Sequence, residues 1–296
     1  MRVVFSSGEN DFSGMIAAAI CDEDIEVAGI IYDSGPVGVS RPQEEARSPS
    51  TLESIKMSVR LAAKVPQLYT DRVLHRLGVT RFDEYSRLQR TEGPLMREAE
   101  RCGGRQLGSY CSKRWRRFPL LDEVATRCGA PFHEVSNINS EHATHVLQQM
   151  RPDLLVSLGN RILKPHTLTI PKVGTLNGHS SLLPRYRGTT AEFWQLAFGE
   201  KLTGVTIHWM APGLDSGPIL VQSEWPIEAG VNHLQLRILS QFRRIEAWQQ
   251  AIRLAARGVA GSPQAQSDTP TFRRPQLSHL YEYYVLGRPP TLHPAR

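Results

Sequence analysis

A chain of 296 residues, 40% apolar and 22% charged, can bury one large core or two ordinary ones and has a globular balance. No apolar run approaches a membrane span, and MRVVFSSGEND lacks the charged-then-apolar layout of a secretory leader, which argues against a membrane or exported protein. The net charge of +6 is uneven: Arg41 to Arg117 holds 17 Lys/Arg against 9 Asp/Glu, a balance of +8, leaving −2 elsewhere.

In chain order, RVVFSS (Arg2–Ser7) predicts a short buried strand, followed by a turn and a helix capped by Asp11. IEVAGIIYD (Ile25–Asp33) predicts a second buried strand, and the β-turn-α-β order implies a parallel pair with a right-handed crossover. Alternation then stops. Leu52, Ile55, Val59, Ala62 and Ala63 have helical spacing, as do Val73, Leu74 and Leu77 after Pro66, so residues 35–118 read as a basic helical insertion ending in SKRWRRF.

The α/β rhythm resumes with a helix closing near Gly129, a strand at Phe132–Val135 and a helix capped by Ser140. PDLLVSLGNRIL is a strand with its exit loop, VGTLNGH another strand, and TAEFWQLAFGE a helix. LTGVTIHWM and GPILVQSEWPI form an expected antiparallel pair around the loop Ala211–Gly217. An amphipathic helix from about Val231 to Arg257 carries Leu234, Ile238, Phe242, Ile245, Trp248 and Ile252 on one stripe, and Gly258 stops it. The polar, Pro-rich tail has aromatic anchors that strap it to the body. The expected fold class is α/β, a Rossmann-like, mostly parallel sheet with helices on both faces and ligands outside the strands' carboxyl ends. Residues 1–230 would be the catalytic unit, with the insertion inside it, and residues 231–296 a helix and tail packed on that body. Cys21, Cys102, Cys111 and Cys128 show no CxxC spacing, so no metal or disulfide is indicated and a reducing cytoplasm is the expected location.

The stretch TLNGHSSLLPRYRG, Thr175 to Gly188, carries chemistry. Residues i and i+2 share a strand face, so Asn177 and His179 point together where the chain is about to turn. Taken singly, Asn177 reads as a turn former, His179 as a satisfied histidine, and Asp215 as an Asx turn between Gly213 and Gly217. Their joint pattern reverses that weighting. Asn177 to Gly188, Thr203-Gly-Val-Thr-Ile-His208 and Leu214-Asp-Ser-Gly217 together resemble the folate-dependent formyltransferases, the catalytic domains of phosphoribosylglycinamide and methionyl-tRNA formyltransferases. The resemblance covers roughly residues 119–230 and leaves the insertion and tail outside it.

The resemblance implies transfer of a formyl group from 10-formyltetrahydrofolate to an amine. Attack on the formyl carbon creates a tetrahedral oxyanion, which Asn177 and His179 would stabilise, while Asp215 would keep His179 charged and accept the amine's proton, directly or through a water. The folate is expected against Leu158, Gly159, Asn160, Arg161, Ile162 and Leu163, with Met210, Gly213 and Leu214 closing over it. Ser7, Gly8, Asn10, Asp11 and Arg187 are the expected acceptor contacts. His208 matches a family histidine, and as a strand residue it reads equally well as structural.

The first loop, Ser6-Ser-Gly-Glu-Asn-Asp11, has one glycine and two acids, a poor cradle for phosphate, which disfavours purine synthesis. Only about eighty residues follow Asp215, which disfavours a tRNA-binding domain, and a strand at residue 2 disfavours the hydrolase relatives. The expected acceptor is therefore a small amine: an amino sugar on a nucleotide, an amino acid or a natural product. The basic insertion suits an anionic one. Methionyl-tRNA-type and hydrolase-type enzymes are the alternatives within the family. A non-catalytic nucleic-acid-binding module using the insertion is the alternative of another class.

Overall fold

The computed structural model describes residues 1–8, 11–21, 23–35, 51–64 and 119–292, without the side chains of residues 11, 51, 62 and 234. Asn10, the segment Val73–Leu77 and the SKRWRRF run lie outside the described residues.

Seven strands form one sheet in the order β3-β2-β1-β4-β5-β6-β7. They are β1 (Arg2–Ser7), β2 (Glu26–Asp33), β3 (Phe132–Val135), β4 (Leu154–Ser157), β5 (Gly174–His179), β6 (Leu202–Trp209) and β7 (Ile219–Pro226). The first five pair in parallel; β5–β6 and β6–β7 pair antiparallel. β1 and β4 are buried along nearly their whole length because helices cover both faces, which is why they read as continuous apolar runs. Strand order reverses between β1 and β4, and in such sheets ligands bind outside the carboxyl ends at that reversal.

The helices are α1 (Asp11–Ile20), α2 (Thr51–Lys64), α3 (Leu121–Cys128), α4 (Glu141–Met150), α5 (Pro165–Leu168), α6 (Ala191–Ala197), α7 (His233–Ala256) and α8 (Leu277–Tyr284). Two boundaries follow from caps read in sequence: Ser140 accepts from the Ala143 amide, and Gly129 takes the left-handed conformation at φ 63°. Asp11 departs from expectation, since it is the first residue of α1 and not its cap. In α2 the helical spacing holds, but Leu52, Ile55 and Val59 are exposed, and Leu61 is the buried anchor.

α1, α3 and α7 cover one face of the sheet, and α4 the other. Phe242, Ile245, Trp248 and Ile252 on α7 are buried as the stripe predicts, each worth roughly 1.5–3 kcal/mol. A third cluster joins α6, Tyr186, Phe272 and α8. Phe272 stacks on Trp194 at 4.9 Å and on Tyr186 at 5.4 Å between ring centroids. Among the described residues no helix is long and apolar enough to cross a membrane.

His233 begins α7 and is 5% exposed, its Nδ1 accepting from the Tyr284 hydroxyl at 2.5 Å. Burial pushes it from 6.5 down to about 4. The unfolded chain then binds a proton the folded chain refuses, so the stability His233 contributes is complete above pH 6.5 and lost as pH falls toward 4. The loss is on the order of 3 kcal/mol. Thermal melts should show a smaller acid-side fall for His233→Asn, which keeps an acceptor for Tyr284 and does not titrate.

Candidate active site

β5 ends at His179 beside β6, and the antiparallel register sets Asn177 opposite His208 and His179 opposite Thr206. The Asn177 amide nitrogen lies 3.4 Å from His208 Nε2. His208 Nδ1 donates to the Trp209 carbonyl at 2.9 Å, which leaves Nε2 as the acceptor and turns the Asn177 NH2 toward it. Burial is the largest influence on His208 and lowers it below the ordinary 6.5, so the ring is neutral at neutral pH.

The loop after β6 brings in Asp215, with a positive φ of 48°. One carboxylate oxygen lies 3.6 Å from His179 Nδ1 and accepts the Gly188 amide at 2.8 Å. The other lies 3.8 Å from His208 Nε2. His179 Nε2 donates to the Tyr186 carbonyl at 2.8 Å, so Nδ1 is the nitrogen left to face the carboxylate. A proton there makes the His179–Asp215 contact an ion pair.

The Arg185-Tyr186-Arg187-Gly188 run closes this frame. Arg185 and the Tyr186 hydroxyl both reach Glu200, at 2.5 and 2.6 Å, and Arg187 donates to Gln264 at 2.8 Å. Gly188, at φ 106°, runs against the tail so closely that a Cβ would stand 2.0 Å from the Phe272 carbonyl oxygen. Gly217 meets the Trp209 carbonyl oxygen in the same way, at 1.8 Å. A larger residue at either position would displace a loop carrying the cluster.

The other expected site residues divide. Ser157 pairs with Asn177, so the loop Leu158–Leu163 begins beside the cluster. Gly159 and Ile162 are exposed, as are Gly213 and Leu214 on the facing loop. Leu163 is buried in the core against which Met210 packs. Asn160 donates to Ser6 and Ser157, and Arg161 forms a two-pronged pair with Asp33 at 2.5 and 2.7 Å; both side chains brace the loop from within. Ser7 is buried, bonded to the Leu158 carbonyl and 2.8 Å from the Ser13 hydroxyl, and the Gly8 amide donates to Gly159 at 3.2 Å. Sequence reading left His208 undecided and missed Gln264. The β5–β6 pairing that sets Asn177 opposite His208 was not among the expected pairs, and Gln264 sits in a polar tail with no pattern.

Surface hollows of about 370 and 290 Å³, lined by residues such as Arg151, His166 and Lys172 or Val173 and Val259, contain no side chain of the cluster. The 158–163 loop begins at the Ser157–Asn177 pair and Asp215 belongs to the 210–215 loop; Ile162 is 76% and Leu214 42% exposed on them.

A model described as formyl transferase matches residues 119–248, the stretch that carries Asn177, His179, His208 and Asp215. Over that stretch the chain is similar to the formyl transferase family. The chain is 30% identical over 161 residues to the methionyl-tRNA formyltransferase of Chlorobium chlorochromatii (strain CaD3), a match covering 54% of this chain and 51% of that protein. It is 39% identical over 107 residues to the namesake from Thermodesulfovibrio yellowstonii (strain ATCC 51303 / DSM 11347 / YP87), covering 36% and 35%. The chain thus spans about half of one relative's length and about a third of the other's.

Among solved structures it resembles glycinamide ribonucleotide transformylase 1 from Symbiobacterium toebii, at a TM-score of 0.53 and 20% identity, covering 90% of this chain and 94% of that one. It also resembles the N-formyltransferase from Helicobacter canadensis, solved with folinic acid and dTDP-3-aminofucose, at a TM-score of 0.52 and 15% identity, covering 93% and 71%. At those identities the likeness is one of fold.

Proposed function

We propose that this protein is a formyl transferase that moves the formyl group of 10-formyltetrahydrofolate to the amine of a small molecule. The observation that carries the proposal is the Asp215 carboxylate standing between two histidines, with Asn177 against one of them. When bound, the folate supplies an activated formyl carbon. Asn177 has one amide hydrogen engaged by His208 and the second free to donate to an oxygen that gains charge, a role commonly worth about 10²–10³ in rate. His179 presents Nδ1 and holds a proton against the same oxygen. Asp215 takes the proton that leaves the attacking amine, directly or through a water. None of these side chains becomes covalently attached.

In this proposal residues 1–230 form the catalytic unit and residues 231–296 pack on it. The 158–163 and 210–215 loops hold the pterin mainly through their backbone, because the Asn160 and Arg161 side chains are already committed. Arg187 and Gly8 are the proposed contacts on the acceptor side. The first loop supports a non-phosphate acceptor end: Ser7 is turned inward, and the Gly8 amide is spent on Gly159. A second acceptor, methionyl-tRNA, is favoured by the identity to enzymes of that name.

A transfer assay separates these. Purified protein with 10-formyltetrahydrofolate is offered amino-sugar nucleotides, amino acids and charged tRNA, with tetrahydrofolate release read by absorbance and product by mass. Formyl product on a small amine and none on tRNA is expected. Product on tRNA alone would overturn the small-amine assignment, and folate release without an acceptor would reassign the protein as a hydrolase.

A further inference from the structure

We propose that Gln264 in the C-terminal tail is a positioning residue that sets where the Asp215 carboxylate stands. The inference rests on the reading above, in which Asp215 accepts the proton of the amine. Gln264 Nε2 donates to the carbonyls of Asp215 and Gly217 at 2.9 and 2.7 Å, and its Oε1 accepts from Arg187 at 2.8 Å. The amide has one workable orientation, since the reverse would set its oxygen against two carbonyl oxygens.

Asp215 needs such a hold. Its left-handed φ of 48° is a conformation that residues with a Cβ seldom adopt. Contacts from its surroundings therefore help to keep the loop in shape. The bond between the Gly188 amide and the Asp215 carboxylate joins the two loops directly, and Gln264 joins them again from behind. The same tail fixes the Gly188 side by its backbone: the Phe272 amide donates to Arg187 at 2.8 Å, and the Thr189 amide donates to Phe272 at 2.9 Å. It grips the Asp215 side again where Ile219 and Ser262 exchange hydrogen bonds of 2.7 Å. The tail is therefore one wall of the frame that aims the carboxylate.

Gln264→Glu is the sharp test, because it preserves size and the acceptor for Arg187 while removing the donor to Asp215 and Gly217. Turnover should fall about 10- to 100-fold, as for a general base displaced by a fraction of an ångström, with KM for the folate within about twofold and the fold retained by circular dichroism. Gln264→Ala should lose turnover similarly. Amide exchange at Gly188 should quicken about tenfold in Gln264→Glu while amides of β1 and β4 stay unchanged. A Gln264→Glu protein with wild-type turnover, or one whose losses in kcat and KM merely track a lower melting temperature, would overturn the inference. If the wild type formylates no amine, the parent reading fails on its own. Gly188 exchange then decides: quickened exchange supports the positioning role, and unchanged exchange ends it.

Discussion

Asp215→Asn should lower kcat by about 10²–10⁴ while leaving binding of a non-reactive folate analogue within about twofold, the range expected when a general base is removed from an intact pocket. The substitution is nearly isosteric, and the side-chain oxygen can still accept the Gly188 amide that the carboxylate accepts at 2.8 Å. That requirement puts the new NH2 on the other side, toward His208 Nε2, where the carboxylate oxygen now stands at 3.8 Å. There it competes with Asn177 for the one acceptor that orients the Asn177 amide. Two functions fail together: no group receives the amine's proton, and the oxyanion donor loses its fixed direction. A proton on His179 Nδ1 also loses its partner. The effects of Asp215→Asn and Asn177→Ala should therefore fall short of additivity, as for residues that act as a unit. Full turnover by Asp215→Asn, read in the transfer assay, would remove Asp215 from the mechanism.

The order of elements was legible because each carries a local signal. The buried runs of β1 and β2, the Ser140 cap, the Gly129 stop and the α7 stripe are all set by short-range periodicity or capping. Asn177 and His179 could be placed on one strand face from alternation alone, whereas Asp215 joined them only through the family resemblance. What could not be read depends on contacts between distant segments. Arg161 looks like a ligand-facing loop residue until Asp33, 128 positions earlier, is seen to hold it. Ser7 looks like a first-loop contact until the Leu158 carbonyl, 151 positions away, takes its hydroxyl. Gln264 is one more polar residue in a Pro-rich tail, and its role exists only because Gly188 lets that tail run against the loop. In each case a polar side chain chose between solvent or ligand and an internal partner, and that choice leaves no periodicity.

The Asp33–Arg161 pair yields the largest expected stability effect. Asp33 ends β2 and its side chain is 1% exposed, while that of Arg161, on the loop after β4, is 18% exposed. Beyond the two-pronged pair, Asp33 accepts the amides of Gly35 and Ile138 at 3.3 and 3.1 Å, and Arg161 reaches the carbonyls of Gly35 and Ser136 at 3.2 and 3.3 Å. Both ends of the pair are thus tied to backbone at the carboxyl edge of the sheet. Asp33→Ala leaves a mostly buried guanidinium without its anion and two backbone amides without their acceptor. Breaking a buried pair from one side costs about 3–5 kcal/mol, and the partial exposure of Arg161 puts the expectation near the lower figure. Arg161→Met should cost less, because Asp33 keeps its two amide donors and the methionine fills part of the vacated volume. Urea titrations of both variants and of the double variant give the coupling directly. Folate-analogue affinity should fall with Asp33→Ala, since the pair holds the 158–163 loop at the height where the pterin is proposed to bind. An Asp33→Ala protein that kept both its stability and that affinity would show that the loop is fixed by Asn160 and the Leu158 contacts alone.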